Sequence, residues 1–171
     1  MNERARQARE QGYAVRPATE ADATQLGVVH VQAWRETYPG LVAQEALDAL
    51  DPVTRGDRWR EWIRHPANPV VLRLGIAPDG EIVGMIAAGP SRDEDAPTSW
   101  ELRAINVLRL AHGSGLADAL VEDAVGTRST YLWVLENNPR ALAFYRRLGF
   151  APDGGRFFDK TLQAWQIRLV R

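Results

Sequence analysis

The segment from Leu110 to Leu120, LAHGSGLADAL, constrains the fold most, because the chain begins a helix there directly after two glycines. An apolar strand-like segment precedes it, and Ala117, Leu120 and Val121 give the helix an apolar stripe. Glycine lets a backbone approach a ligand closely, and the free N–H groups at a helix start favour a phosphate. A strand-to-helix turn without a ligand explains the same residues, so the segment alone leaves both interpretations open.

Two common phosphate-binding loops fit this segment poorly. No Gly-Lys-Ser/Thr follows it, so it is not a Walker loop, and the dinucleotide fingerprint needs a third glycine or alanine at a different offset. Glu136 does end the next predicted strand about 20 residues on, as that fingerprint requires. However, the first strand, turn and helix of a Rossmann domain normally lie early in the domain. A Rossmann-like nucleotide enzyme is therefore the weaker alternative.

The rest of the chain predicts a mixed α/β layer fold in the order βααα-βββ-αβ-αββ. Asp79-Gly80 is a strong hairpin signal between two apolar runs, and Gly149 is a good helix stop. Residues 1–12 are polar and predict a frayed helix or a flexible tail, followed by one domain over 13–171. Predicted helices cover 20–35, 43–50, 52–65, a segment ending near 125 and 138–149, and further strands cover 13–16, 100–108, 130–135, 150–152 and 162–170.

Composition excludes several classes of protein. The net charge of −1 gives no bulk attraction to nucleic acid or to an anionic membrane. The absence of cysteine excludes a disulfide framework, a thiolate metal site and a cysteine nucleophile. The N-terminus has no apolar signal region, and no window approaches about 18 uninterrupted apolar residues. We therefore expect a cytoplasmic protein with no nucleic-acid, membrane or metal partner.

Two segments together, VLRLAHGSGLADAL and ENNPRALAFYRRLGF, resemble the motifs of the GNAT N-acetyltransferase superfamily. The family's acetyl-CoA loop, Gln/Arg-x-x-Gly-x-Gly/Ala, matches His112, Gly115 and Ala117, although His112 replaces the usual Gln or Arg. The second family motif, Asn-x-x-Ala-x-x-Phe-Tyr-x-x-x-Gly-Phe, is met by Asn138, Ala141, Phe144, Tyr145, Gly149 and Phe150. The resemblance implies an α/β fold with a mixed, mostly antiparallel central sheet flanked by helices.

The same resemblance implies transfer of an acetyl group from acetyl-CoA, as cosubstrate, directly to a primary amine. Tyr145 would protonate the leaving thiolate, and Glu101 would be the base, with Glu136 as a rival. Glu101 and Arg103 share a strand face, so a salt bridge between them is the alternative. The residues expected to bind the cofactor are Val107, Leu108, His112, Gly113, Ser114, Gly115, Leu116, Ala117, Asn138, Ala141 and Tyr145.

The acceptor site is the least defined part of this interpretation. The segment HVQAWRETYPGL is dense in amphipathic aromatic residues, so Trp34 and Tyr38, with Glu101 and Glu136, are the expected acceptor contacts. The acidic loop at 93–95 would attract a cationic amine, and packing or solvation explains these residues equally well. The acceptor is a small molecule or a peptide, and a homodimer would be ordinary for such a domain. A non-catalytic acetyl-CoA-binding sensor or scaffold is the alternative function.

Overall fold

The computed structural model describes residues 2–65, 67 and 69–171. Its described residues form a seven-stranded sheet in the order β1-β2-β3-β4-β5-β7-β6, in which only the β4–β5 pair is parallel. This arrangement confirms the predicted α/β class with a mostly antiparallel sheet. The strands are β1 (Ala14–Pro17), β2 (Val71–Ile76), β3 (Ile82–Pro90), β4 (Trp100–Val107), β5 (Tyr131–Leu135), β6 (Ala151–Asp159) and β7 (Ala164–Val170).

The helices cover the sheet with apolar side chains at helical spacing. Leu26, Val29 and Ala33 of the second helix are buried in the main core, as are Leu116 and Leu120 of the fifth. No described helix has the length and apolar character that a bilayer crossing requires. The helices are α1 (Glu3–Glu10), α2 (Ala23–Thr37), α3 (Gln44–Asp48), α4 (Pro52–Arg64), α5 (Leu116–Ala124) and α6 (Pro139–Arg147), with short 3-10 turns at Glu20–Asp22 and Arg109–Ala111.

The N-terminal segment is a docked helix, which corrects the expectation of a flexible tail. Asn2 caps α1 by accepting a hydrogen bond from the Arg4 N–H, and its side chain donates to Asp118 on α5 at 2.9 Å. Ala5 and Ala8 are completely buried against Ala119. The polar composition of the segment hid this contact, because the apolar part of it is made by small alanine side chains.

An irregularity in β4 opens the sheet. Ala87 of β3 pairs with Ala104, whereas the neighbouring Ala88 pairs with Leu102, so Arg103 is an extra, bulged residue. Strands β4 and β5 pair through Glu101 and Tyr131, which lie before the bulge. Beyond the bulge these two strands are not paired. The two strands therefore separate and leave a gap between their C-terminal halves.

The last hairpin is longer than predicted. We expected a strand only over 150–152, because the following Asp-Gly-Gly is typical of a turn, but β6 continues to Asp159. The Asp-Gly-Gly segment is instead a bulge between Pro152 and Arg156, which both pair with β7. The tip of this hairpin reaches the loop after α2, where Ala43 N–H donates to Leu162 O at 2.9 Å. That contact closes one end of the gap between β4 and β5.

Candidate active site

A cleft of about 470 Å³ occupies the gap between β4 and β5. The N-terminus of α5 and the α6 helix line one end, and α2 with the β6–β7 tip lines the other. Of the residues predicted to form the site, the cleft is lined by Trp34, Tyr38, Val107, His112, Ala117, Asn138, Ala141 and Tyr145. The structure thus brings together most of the predicted site from five separate elements.

The glycine loop adopts a conformation that only glycine tolerates well. Gly113 and Gly115 have φ angles of 84° and 89°, in the left-handed region. Between them, the buried Ser114 hydroxyl donates to Ala111 O at 2.7 Å and accepts from Leu116 N–H at 3.2 Å. Ala117 and Asp118 follow Leu116 in the first turn of α5. Among the described residues, their backbone N–H groups donate no hydrogen bond. The loop therefore ends in free amides beside the cleft, as an anion site requires.

His112 joins the loop to the strand before it. Its Nε2 lies 2.9 Å from Val107 O, and a carbonyl can only accept, so Nε2 carries the proton. Burial lowers the pKa of His112, partly opposed by that hydrogen bond, so the ring is neutral near pH 7. The side chain fixes the start of the loop and adds no charge there.

The edge of β4 that faces the gap offers backbone hydrogen-bonding groups. Leu108 N–H donates to Val83 O of β3 at 2.8 Å, so that amide is not available to a ligand. Successive residues of a strand point their backbone groups to opposite edges, so those of Val107 face the gap. Val107 O already accepts from His112, which leaves the Val107 N–H as the free group at this position.

Asn138 caps α6 at the opposite wall of the cleft. Its Oδ1 accepts from Ala141 N–H at 3.1 Å, and Pro139 occupies the first helical position, where a missing N–H costs nothing. Asn138 is 6% exposed. Both predicted roles, cap and cleft residue, therefore fall on the same side chain.

Tyr145 lies in the inner wall of the cleft. Its ring packs edge-on against Phe144 and Phe150, with centroid separations of 5.2 and 5.8 Å. Burial, with a smaller contribution from the nearby Tyr38 phenol, raises the pKa of Tyr145 well above its usual value. The phenol therefore remains protonated at any physiological pH, as a donor of a hydrogen bond or of a proton must be.

Glu101 does not lie in the cleft with Tyr145. Its carboxylate is 3% exposed and accepts two hydrogen bonds from Arg92, at 2.6 and 2.8 Å, while Arg103 Nε lies 3.7 Å away. The salt bridge considered as the alternative is present, with Arg92 as the main partner. Both carboxylate oxygens are therefore occupied by Arg92, and the buried side chain does not face Tyr145.

Glu136, the rival base, also lies outside the cleft. Its carboxylate forms a surface ion pair with Arg156 at 2.8 Å, and this hydrogen-bonded guanidinium lowers the pKa of Glu136. Among the residues that the structure describes, no three His, Asp or Glu side chains come together as metal ligands would.

The end of the cleft that α2 lines holds a series of packed aromatic rings. Trp34 packs edge-on against Tyr38 with centroids 4.7 Å apart, and its other neighbour is His30, at 5.8 Å. His30 is 5% exposed, and neither ring nitrogen has a hydrogen-bond partner among the residues that the structure describes. Burial, and then the positive Arg55, lower the pKa of His30 to about 3. Sequence reasoning placed His30 in an aromatic segment but did not select it, because its burial depends on packing against Trp59.

A second cleft of about 910 Å³ adjoins the first, and both are lined by Leu102, Arg103, Trp133 and Gln166. The acidic loop borders this second cleft. Two of its three carboxylates are engaged, since Asp93 accepts from Trp133 Nε1 at 2.8 Å and Asp95 pairs with Arg168 at 2.9 Å. Arg103, at the β4 bulge, was not selected from the sequence as a site residue, because a bulge depends on how the strands pair.

Comparisons with known proteins agree with this geometry. The model of the acetyltransferase (GNAT) family matches residues 30–150. An uncharacterized N-acetyltransferase of Bacillus subtilis, YuaI, is 29% identical over 163 residues, covering 91% of this chain and 87% of that protein. An uncharacterized N-acetyltransferase of Mycobacterium bovis is 30% identical over 146 residues, covering 80% of this chain and 88% of that protein.

Among solved structures, the PaiA N-acetyltransferase of Thermoplasma acidophilum in complex with coenzyme A is similar, with a TM-score of 0.72. It is 18% identical, and the match covers 91% of this chain and 97% of that one, so it supports the fold. The chain belongs to the GNAT family of acetyltransferases, and the predicted family is confirmed. It is an N-acetyltransferase, and the family's acetyl donor is acetyl-CoA.

Proposed function

We propose that this protein moves the acetyl group of acetyl-CoA directly to a primary amine of a small molecule or a peptide, with both substrates bound at once. The observation that carries the proposal is the cleft between the separated strands β4 and β5. It joins the free amides at the start of α5 to the Tyr145 phenol and opens toward a second cleft. Donor and acceptor can therefore enter from different directions.

The residues at the loop end fit the pyrophosphate of acetyl-CoA. The free N–H groups of Ala117 and Asp118 point out of the first turn of α5, where the helix dipole also favours negative charge. Gly113 has no neighbour within 4 Å of where a side chain would begin, so the loop backbone is open to a ligand. Arg140, in the first turn of α6, also lines the cleft and adds a positive charge.

The open edge of β4 fits the amide-containing arm of the cofactor. A ligand with its own N–H and C=O groups can pair with such an edge as an added strand would. The free Val107 N–H is the donor available there, and a carbonyl oxygen that accepts from it becomes more electrophilic at carbon.

The reaction forms a C–N bond between the amine and the acetyl carbon and breaks the C–S bond to coenzyme A. The amine nitrogen loses one proton and the leaving sulfur gains one, so charge balances without a covalent enzyme intermediate. We assign Tyr145, whose phenol lines the cleft and is protonated at working pH, to donate a hydrogen bond and then its proton to the leaving sulfur. Glu101 lines the second cleft and Glu136 lies outside both clefts, and each is ion-paired with an arginine, so we assign them no proton transfer.

The proposal is tested by titrating the purified protein with acetyl-CoA and, in parallel, with NAD, and then by measuring free-thiol release with a panel of amines. We expect acetyl-CoA but not NAD to bind, thiol release to depend on the amine, and mass spectrometry to find the N-acetylated product. Binding of acetyl-CoA without turnover across the panel would favour the sensor or scaffold function. Tight NAD binding without acetyl-CoA binding would overturn the assignment.

A further inference from the structure

Arg103 is a partly buried cation at the junction of the two clefts. Its Nη2 donates to Pro90 O at 2.8 Å, and its guanidinium carbon lies 5.8 Å from the centroid of the Trp62 ring. Among the described residues its buried Nε atom has no hydrogen-bond partner, and Glu101 Oε2 lies 3.7 Å from it. Because Nε is closed off from solvent, an anionic ligand would meet the terminal nitrogens of the guanidinium, where a charged group gains from a hydrogen-bonded partner.

The nearest carboxylate does not neutralise Arg103. Both oxygens of Glu101 are already hydrogen-bonded to Arg92, and Glu101 Oε2 remains 3.7 Å from Arg103 Nε. The guanidinium groups of Arg92 and Arg103 therefore share one carboxylate, which leaves an excess of one positive charge among these three side chains. His30, which lines the same cleft, contributes no charge, yet its buried ring nitrogens also lack partners.

We infer that Arg103 binds a carboxylate carried by the acceptor, so that the preferred acceptor class is an amine that also bears a carboxylate, such as an amino acid. The inference rests on the proposed transfer to an amine. One positive charge matches one carboxylate, and the planar guanidinium presents N–H donors in the geometry that two carboxylate oxygens accept. The neutral imidazole of His30 supplies an uncharged polar group in the same cleft.

The acidic loop at 93–95 suits the ammonium group of such an acceptor. Glu94, between the two engaged aspartates, lines the second cleft without an ion-pair partner among the described residues. The approach to Arg103 therefore passes an acidic loop, which attracts an ammonium group. A molecule with both an ammonium and a carboxylate suits this path, whereas a polyamine would bring a second cation toward Arg103.

The experiment compares matched acceptors. Each of several α-amino acids is assayed beside its carboxamide and beside the amine left after loss of its carboxyl group, at saturating acetyl-CoA. We expect kcat/KM for the carboxylate member to exceed that of the other two by about 10- to 100-fold, the usual range for a hydrogen bond to a charged group. In Arg103→Met the preference should fall to near one, while acetyl-CoA affinity stays unchanged.

Arg128→Met is the matched control. Arg128 lies over Trp100 at 5.1 Å and donates to Val125 O at 3.2 Å, which resembles the setting of Arg103, but it does not line either cleft. The control should keep the carboxylate preference. If Arg103→Met folds poorly, comparing the three matched acceptors in the wild-type protein still tests for the carboxylate preference.

The outcomes separate the two proposals. Equal rates for the three members, or a preference that survives Arg103→Met, would overturn the carboxylate site and leave amine transfer standing. Acetylation of polyamines in place of the amino acids would do the same. If acetyl-CoA binds but no amine in the panel is acetylated, the proposed transfer is wrong, and the proposed acceptor class is wrong with it.

Discussion

The backbone carbonyl oxygen of Arg4 lies only 2.0 Å from the position that a Cβ atom on Gly115 would occupy. Helix α1 therefore rests directly on the loop proposed to bind phosphate, at a point where any side chain would push the two apart. The same glycine has a φ of 89°. Two independent constraints thus act on one residue, and one of them comes from packing of the N-terminal helix.

We expect Gly115→Ala to damage the loop more than Gly113→Ala. Both substitutions place alanine in the left-handed region, at a cost of about 1–2 kcal/mol each. Only Gly115→Ala also collides with α1, since Gly113 has open space around it. Denaturation melts should show a larger loss of stability for Gly115→Ala, together with weaker acetyl-CoA binding. Equal losses would mean that α1 does not hold the loop.

The free amides at the start of α5 lead to a second prediction, at Ala117. This residue lies in the first turn and lines the cleft, and a longer side chain there needs no unusual backbone angle. Ala117→Glu should weaken acetyl-CoA binding by about 10- to 100-fold, because its carboxylate repels the phosphates and opposes the helix dipole.

Ala117→Gln is the control for size without charge. It should weaken binding much less, and added salt should reduce the difference between the two variants. Calorimetric titration of both variants with acetyl-CoA makes the comparison. Similar affinities for Glu and Gln would show that no phosphate lies near this turn.

The burial of Tyr145 suggests a third prediction. Tyr145→Phe removes the hydroxyl and leaves the ring packing against Phe144 and Phe150. We expect kcat to fall by about 10- to 1000-fold, the usual range for loss of a proton donor, with little change in acetyl-CoA affinity. Steady-state kinetics with calorimetry separates the two effects. Wild-type turnover in this variant would exclude Tyr145 from the mechanism.

Residues near each other in sequence were easier to predict than those joined by packing. Asn138, Tyr145 and Gly149 belong to one helix, whose cap, buried face and stop are all encoded within 12 residues. By contrast, the pairing of Glu101 with Arg92 depends on the loop between β3 and β4 folding back. From the sequence alone, Glu101 therefore fitted the role of a base.

Contacts between distant elements explain the remaining differences. The β4 bulge at Arg103 arises from the register between two strands, and a single strand sequence does not encode it. The docking of α1 depends on alanines that meet Ala119 more than a hundred residues away. In both cases the local pattern was compatible with the observed structure but did not require it.

Glu101→Gln distinguishes a structural from a catalytic carboxylate. Because Glu101 is buried and paired with Arg92 while also facing Arg103, we expect the change to lower stability by roughly 1–3 kcal/mol. Arg92 is more than half exposed, so the loss should stay below the range for a fully buried pair. The shape of the pH profile of kcat/KM should not change. If Glu101→Gln removes the rising limb of the pH profile of kcat/KM, Glu101 is the base after all.

The buried, unpartnered His30 makes the last prediction, which concerns stability against pH. The pKa of His30 is lowered to about 3 in the folded protein, against 6.5 for an ordinary histidine. Between these values the unfolded chain binds a proton that the folded chain does not, so stability must fall as pH falls below 6.5. The slope should approach about 1.4 kcal/mol per pH unit.

Urea titrations between pH 7.5 and about 5.5 measure this slope above the pH range in which most carboxylates titrate. His30→Leu should remove most of it, since leucine has no proton to gain on unfolding. His65→Gln is the control, because His65 is exposed at the end of α4 and should leave the slope in place. If His30→Leu keeps the full slope, the acid sensitivity arises elsewhere and His30 is not held neutral in the cleft wall.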